Sequence, residues 1–282
     1  MIGRRMLLAG MLGLVSACAG GTGARKFDVD AFASGHPDVA KGRPFVNDKG
    51  YVVRLDRATV TVGPVYLNVV APRGSSTAAR GLRFPFEGVA HAHGEDHLGS
   101  GRIVGEVLGQ VTFDALSDAH VPFPRRATVT NEPVRTVDIW LYPPPGDDPE
   151  TKKARASLDV EGTAERGGAS LRFRGSLAID DAFLPDAEPG TRGARTLSEI
   201  RRIRGIAASF TPEEGGALEV LFDVREALRG CDFGALDANP KDADGAARLV
   251  QSKATGNDQV VTSLFQGLKS ATGTWTVRFV SP

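Results

Sequence analysis

Three of the chain's five histidines fall within seven residues, His91-Ala92-His93-Gly94-Glu95-Asp96-His97. Imidazole is the commonest metal ligand among side chains, and short histidine-rich tracts read as metal binding. On extended backbone alternate residues share a side, so His91 and His93 can address one ion. A turn at Gly94 lets His97 return as a third ligand. Glu95 or Asp96 then serves as a fourth ligand, or as acceptor for an imidazole N–H. Such a nitrogen and oxygen set suits Zn²⁺, Cu²⁺ or Ni²⁺; Cu(I) favours thiolate and thioether sulfur. His36 and His120 could each add a ligand. The same composition also describes an exposed polar loop whose histidines only titrate near neutral pH, and both readings stay open.

Other chemistries find less support. His93 and His97 are four apart, as in a zincin helix, but Glu95 sits two residues after the first histidine rather than one. Gly94 and Gly99 also oppose a helix there. The glycines of Gly99-Ser100-Gly101-Arg102-Ile103-Val104-Gly105 lead into a strand and lack dinucleotide-fingerprint spacing, so they read as a turn. No Gly-x-Ser-x-Gly elbow occurs. Cys231 reads as a small buried apolar residue, and Trp140 and Trp275 as core or rim packing within strands. The expectation is therefore a protein that is not an enzyme.

The N-terminus carries its own chemistry. A basic start (Arg4, Arg5), an apolar run over Met6–Val15 and the small pair Ser16-Ala17 make a secretory signal peptide, too short to span a bilayer. Val15-Ser16-Ala17-Cys18 resembles the lipobox of bacterial lipoproteins, whose cysteine thiol is acylated and becomes the mature N-terminus. Two or three acyl chains anchor stably, at about 0.8 kcal/mol per buried methylene. The expected boundaries are 1–17 for the signal peptide and 18–26 for the lipidated cysteine with its Gly-rich tether. Ala19 after the cysteine favours the outer membrane, facing periplasm or exterior. Arg4-Arg5 leaves the twin-arginine and general export routes both open. Without the leader the chain has 32 basic and 34 acidic residues, no methionine, and one cysteine besides Cys18. That balance offers no basic excess for nucleic acid, and Cys231 has no internal disulfide partner. The membrane, reached through the lipid, is the expected partner; the sequence names no protein partner.

From residue 27 to 282 short apolar-alternating runs separated by Gly and Pro predict an all-β fold. Tyr51–Val70 reads as two strands divided at Gly63-Pro64. Further strands are expected at Arg102–Phe113, Val134–Leu141, Ser157–Ala164, Ser170–Ile179, Ile203–Phe210, Ala217–Asp223 and Thr274–Val280. Glu165-Arg166-Gly167-Gly168 reads as a hairpin turn within Ala156–Ile179. Val260, Val261, Leu264, Phe265 and Leu268 form one stripe of a helix, and Val224–Leu228 a single helical turn. This rhythm predicts an antiparallel β-sandwich of Ig-like or jelly-roll type with one or two peripheral helices. It forms one domain, unless the Pro-rich stretch at 143–150 divides it into halves. Ala187–Arg195 reads as a polar loop.

Two stretches carry a resemblance. The run from Gly50-Tyr51-Val52-Val53 through Gly63-Pro64 to Leu67 resembles the opening strands of MbnP-like copper-binding envelope proteins. Gly205–Phe210, Ala217–Val224 and Gly230-Cys231-Asp232-Phe233 to Leu236 resemble their later strand-turn-strand segment. The resemblance implies an exported β-sandwich that binds copper through histidines, in some members beside an oxidised tryptophan. It assigns no ligand residue by residue, and nothing transfers to Trp140 or Trp275. Two functions follow as expectations: a lipid-anchored protein binding Zn or Cu through the His91–His97 loop, or a structural envelope lipoprotein without metal.

Overall fold

The computed structural model describes residues 24–70, 102–142, 156–184, 196–252 and 256–282. Cys18 and its leader, the His91–His97 run, and the stretches 143–150 and 187–195 lie outside the described residues. The described strands are β1 (Lys26–Gly35), β2 (Phe45–Val46), β3 (Val52–Val62), β4 (Val65–Asn68), β5 (Ile103–Val107), β6 (Val111–Asp114), β7 (Val121–Pro122) and β8 (Ala127–Thr130). They continue with β9 (Val134–Trp140), β10 (Leu158–Arg166), β11 (Ala169–Leu177), β12 (Arg202–Phe210), β13 (Ala217–Phe222), β14 (Ala247–Arg248) and β15 (Trp275–Val280). Three short α-helices accompany them among the described residues: α1 (Leu197–Arg201), α2 (Val224–Ala227) and α3 (Gln259–Leu268), with 3-10 turns at Asp181–Phe183 and Phe233–Ala238. No described helix is long and apolar enough to cross a membrane.

The all-β expectation holds, as two sheets in a sandwich-like arrangement. The larger has the order β12-β9-β4-β5-β8-β1-β13-β15, with β7 also on β1; the smaller runs β14-β11-β10-β3-β2, with β6 on β3. Most pairs are antiparallel, but β1–β13 and β11–β14 are parallel. Neither parallel pair is joined by a tight turn, which alone would force antiparallel pairing.

The sequence pattern explains β3. Val53 and Leu55 are buried, then the phase changes, and Ala58, Val60 and Val62 are buried instead. Asp56 is the extra residue: Leu55 pairs with Gly162 and Arg57 with Glu161, leaving Asp56 unpaired in a β-bulge. The β10–β11 hairpin turns through Gly167 and Gly168, both at positive φ (61° and 84°), as a two-residue primed turn requires.

Gly63-Pro64, with a cis peptide bond, carries the chain from β3 in the smaller sheet to β4 in the larger. The expected single strand over Arg102–Phe113 is instead two, β5 in the larger sheet and β6 in the smaller, divided at Gly109 with φ of 101°. The two crossings touch: a Cβ on Gly63 would lie 2.1 Å from the Gly109 carbonyl oxygen. Strands β1, β2, β7, β8 and β14 and helix α1 are additions to the expected set. β1 alternates weakly because Ala31 and Ala33 hold its buried positions.

The apolar stripe of α3 faces inward as expected. Val260, Val261, Leu264 and Leu268 are fully buried, each worth about 1.5–3 kcal/mol against exposure. Asp258 caps the helix by accepting from the Val261 N–H at 2.6 Å. Phe265 is half-buried and stacks on Phe183 at 4.3 Å. Cys231 is fully buried, and burial, with Asp258 nearby, pushes its thiol up to about 12.

The two stretches that carry the resemblance meet in space. Asn47 Nδ2 donates to the Cys231 carbonyl at 2.8 Å, while Asn47 Oδ1 accepts from the Tyr51 N–H at 3.1 Å. The Tyr51 hydroxyl donates to Asp232 Oδ1 at 2.9 Å and accepts from the Gly234 N–H at 2.7 Å. These bonds tie the start of β3 to the Gly230–Phe233 turn and account for Tyr51 and Asp232 structurally.

Candidate functional site

On β4, Val65 and Leu67 face the core and are fully buried, so Tyr66 and Asn68 belong to the opposite, outward face of the larger sheet. Register places Asp138 beside Tyr66 and Thr136 beside Asn68 on β9, with Trp140 next along the same face. Arg202 of β12 pairs across from Trp140. An outward sheet face is ordinarily wet, yet Asn68, Thr136, Asp138 and Arg202 are all buried.

A bulge in β12 organises this face. The β9–β12 register shifts between Ile203 and Ile206, and Gly205 takes a positive φ of 73°. That turns the Gly205 N–H onto Asp138 Oδ1 at 2.8 Å. Asp138 Oδ2 accepts from Arg202 Nη2 at 2.5 Å and Nε at 3.2 Å. With side chains only 8% and 2% exposed, Arg202 and Asp138 form a buried ion pair whose carboxylate is satisfied at both oxygens. The guanidinium lies over the Trp140 ring, 4.7 Å from its centroid. Tyr66 meets Trp140 edge-on at 5.1 Å and 68°. Arg201 sits 5.1 Å from the centroid of Tyr142.

Pro64, Tyr66, Ile103, Trp140, Tyr142 and Arg202 line a cavity of about 160 Å³. The Tyr66 phenol there is raised above its ordinary value by burial first, then by the nearby negative charge of Glu106, with Tyr142 adding and Arg202 opposing. It stays protonated and neutral at ordinary pH. A shallower depression of about 250 Å³ continues past Ile103 over Gly105, Glu106, Thr128 and Thr130. Asn68, in register with Ile103, is fully buried, and among the described residues neither its Oδ1 nor its Nδ2 has a hydrogen-bond partner.

His91, His93, His97, Glu95 and Asp96, and the lipidation residue Cys18, lie outside the described residues. What is described is the frame from which the histidine-bearing stretch departs. It leaves after Val70 and re-enters at Arg102, and the Val69 N–H donates to the Arg102 carbonyl at 3.3 Å. The stretch thus leaves and re-enters beside the aromatic cavity, whose lining includes Ile103.

Among the described residues, the two remaining histidines sit apart from any metal-sized cluster. His36 Nδ1 lies 3.7 Å from Asp38 Oδ2. His120 stacks on Phe32 at 5.7 Å, with Nε2 3.5 Å from Glu219, whose other oxygen accepts from Arg278 at 2.6 Å. Among the described residues, no group of three His, Cys, Asp or Glu side chains is placed to hold an ion.

Trp275 is core, only 2% exposed, and its indole N–H donates to the Leu268 carbonyl at 2.8 Å. Trp140 is rim packing of a particular kind, one wall of a cavity. Reading Tyr66, Trp140 and Tyr142 as one site needed the pairing of β4 with β9, which no single stretch of sequence encodes. The usable signal was aromatic residues on polar-alternating strands beside Arg201-Arg202.

No family profile matches the chain, and no curated protein matches it. Among solved structures it is similar to MbnP from Methylosinus trichosporium, at 10% identity and a TM-score of 0.36, over 92% of this chain and all of that one.

Proposed function

We infer that this chain is an envelope lipoprotein that binds one divalent transition ion, zinc or copper, through His91, His93 and His97. Glu95 or Asp96 completes the ligand set or orients an imidazole. The observation that carries the reading is the concentration of three histidines and two carboxylates in seven residues. It is supported by the frame: a 31-residue stretch, 71–101, whose flanking residues are hydrogen-bonded to each other where β4 ends and β5 begins, adjacent strands inside the larger sheet. Acylation of Cys18 would hold the domain at the outer membrane through a short Gly-rich tether.

The test is calorimetric titration of untagged protein with Zn²⁺ and Cu²⁺, beside the His91/His93/His97 triple-alanine variant. One equivalent bound by the wild type and lost in the variant is expected. Binding should weaken as pH falls through roughly 6.5, because imidazole must be neutral to coordinate. Equal heats in the two proteins would refute the metal reading. The anchoring arm is separate: Cys18→Ser should move the protein to the soluble fraction, and failure of the wild type to incorporate labelled fatty acid would refute it.

A further inference from the structure

The cavity walled by Tyr66, Trp140, Tyr142, Pro64 and Ile103 is a binding site in its own right, and the geometry points to a neutral six-membered aromatic ring, of phenol or indole type, as its ligand. Size comes first. An enclosed apolar cavity of about 150 Å³ takes one benzene, and this open-sided pocket, with Arg202 at its wall, offers a similar volume of about 160 Å³. Three aromatic side chains supply the edge and face contacts that rings prefer at centroid separations of 4.5–7 Å.

Charge then narrows the class. An aromatic box commonly takes a quaternary ammonium, but here Arg202 already lies over Trp140 at 4.7 Å and Arg201 over Tyr142 at 5.1 Å. A second cation would find those ring faces already occupied, and Arg201 is not among the residues that line the cavity. An anion gains little, because the buried Asp138 carboxylate offsets the charge of Arg202 at 2.5 Å. A neutral ring avoids both costs, and the protonated Tyr66 phenol offers a polar group at the wall.

Trp140 lines the cavity, and the other tryptophan, Trp275, is buried away from it, so fluorescence reports on the site directly. Phenol would be titrated into chelator-treated Trp275→Phe protein, which makes the result independent of the metal reading. Saturable change in Trp140 emission is expected, with a Kd on the order of 1 mM for so small a ligand. Ile103 is 39% exposed and lines the cavity, so Ile103→Phe fills the space without entering the core. That variant should keep the wild-type thermal transition and weaken phenol binding at least tenfold. Benzoate and benzyltrimethylammonium should each bind at least fivefold more weakly than phenol. The proposal is overturned by an unsaturable response to phenol, by equal binding in a folded Ile103→Phe variant, or by either charged ring binding more tightly than phenol. If Trp275→Phe does not fold, wild-type protein read by calorimetry gives the same comparison.

Discussion

Asn68 and Asp138 stand on the same outward face, and their substitutions should have opposite signs. Asp138 is fully engaged, by Arg202 and by the Gly205 N–H. Asp138→Ala would leave the Arg202 guanidinium buried beside an unmatched donor, which costs about 3–5 kcal/mol. Among the described residues, Asn68 finds no partner for its two buried polar atoms. Asn68→Leu, nearly the same size, removes two desolvated groups and should stabilise by about 1–3 kcal/mol. Urea unfolding of the two variants checks both signs together. A destabilised Asn68→Leu would mean that the carboxamide is satisfied in solution. Neither residue stood out in the sequence, because burial on an outward face follows from packing and leaves no periodic trace.

The strands legible in sequence were those whose buried positions carry mostly large apolar residues, such as β3, β9 and β13, with Leu158, Val160, Phe173 and Leu177 supplying the pattern in the β10–β11 hairpin. β1 and β8 escaped because Ala and Thr fill much of their pattern. Helix α1 escaped because it is five residues long, although Thr196 and Glu199 form a capping box that marks its start. The candidate metal ligands were legible by composition alone, whereas the aromatic cavity required strand pairing. Helix packing makes a sharper test. A Cβ on Gly267 of α3 would lie 2.2 Å from the Ala227 carbonyl oxygen of α2. Alanine is the better helix former by roughly 1 kcal/mol, yet Gly267→Ala should lower stability by about 1–3 kcal/mol through overpacking. A lower urea midpoint with an unchanged slope is the expected result; a raised midpoint would show that α2 and α3 can separate without loss.

At the scale of the whole molecule, alkali is the expected weakness. Burial raises the Cys231 thiol to about 12, and the Tyr51 and Tyr66 phenols are raised chiefly by burial. In the unfolded chain these groups release protons at their ordinary values, near 9 for the thiol and about 10 for the phenols. Their contributions are complete below those values and are lost as pH rises, for Cys231 across the window from about 9 to 12. Cys231 adds a slope of roughly 1.4 kcal/mol per pH unit within that window, and the two phenols add in the same direction. Unfolding free energies measured from pH 8 to 11 should fall, and Cys231→Ala should flatten the fall by about one proton. An identical slope in the variant would contradict the buried thiol.

The parallel pairing of β1 has a temporal meaning. Residues Asp30–Gly35 lie against Ala217–Phe222, a separation of about 190 residues along the chain. A polypeptide emerging from its N-terminus therefore makes β1 long before this neighbour exists. Through most of its synthesis, one long edge of β1 has no native strand beside it. That delay favours an unfolded chain until about three-quarters of it has appeared, and it makes late, whole-chain closure the slow event of folding.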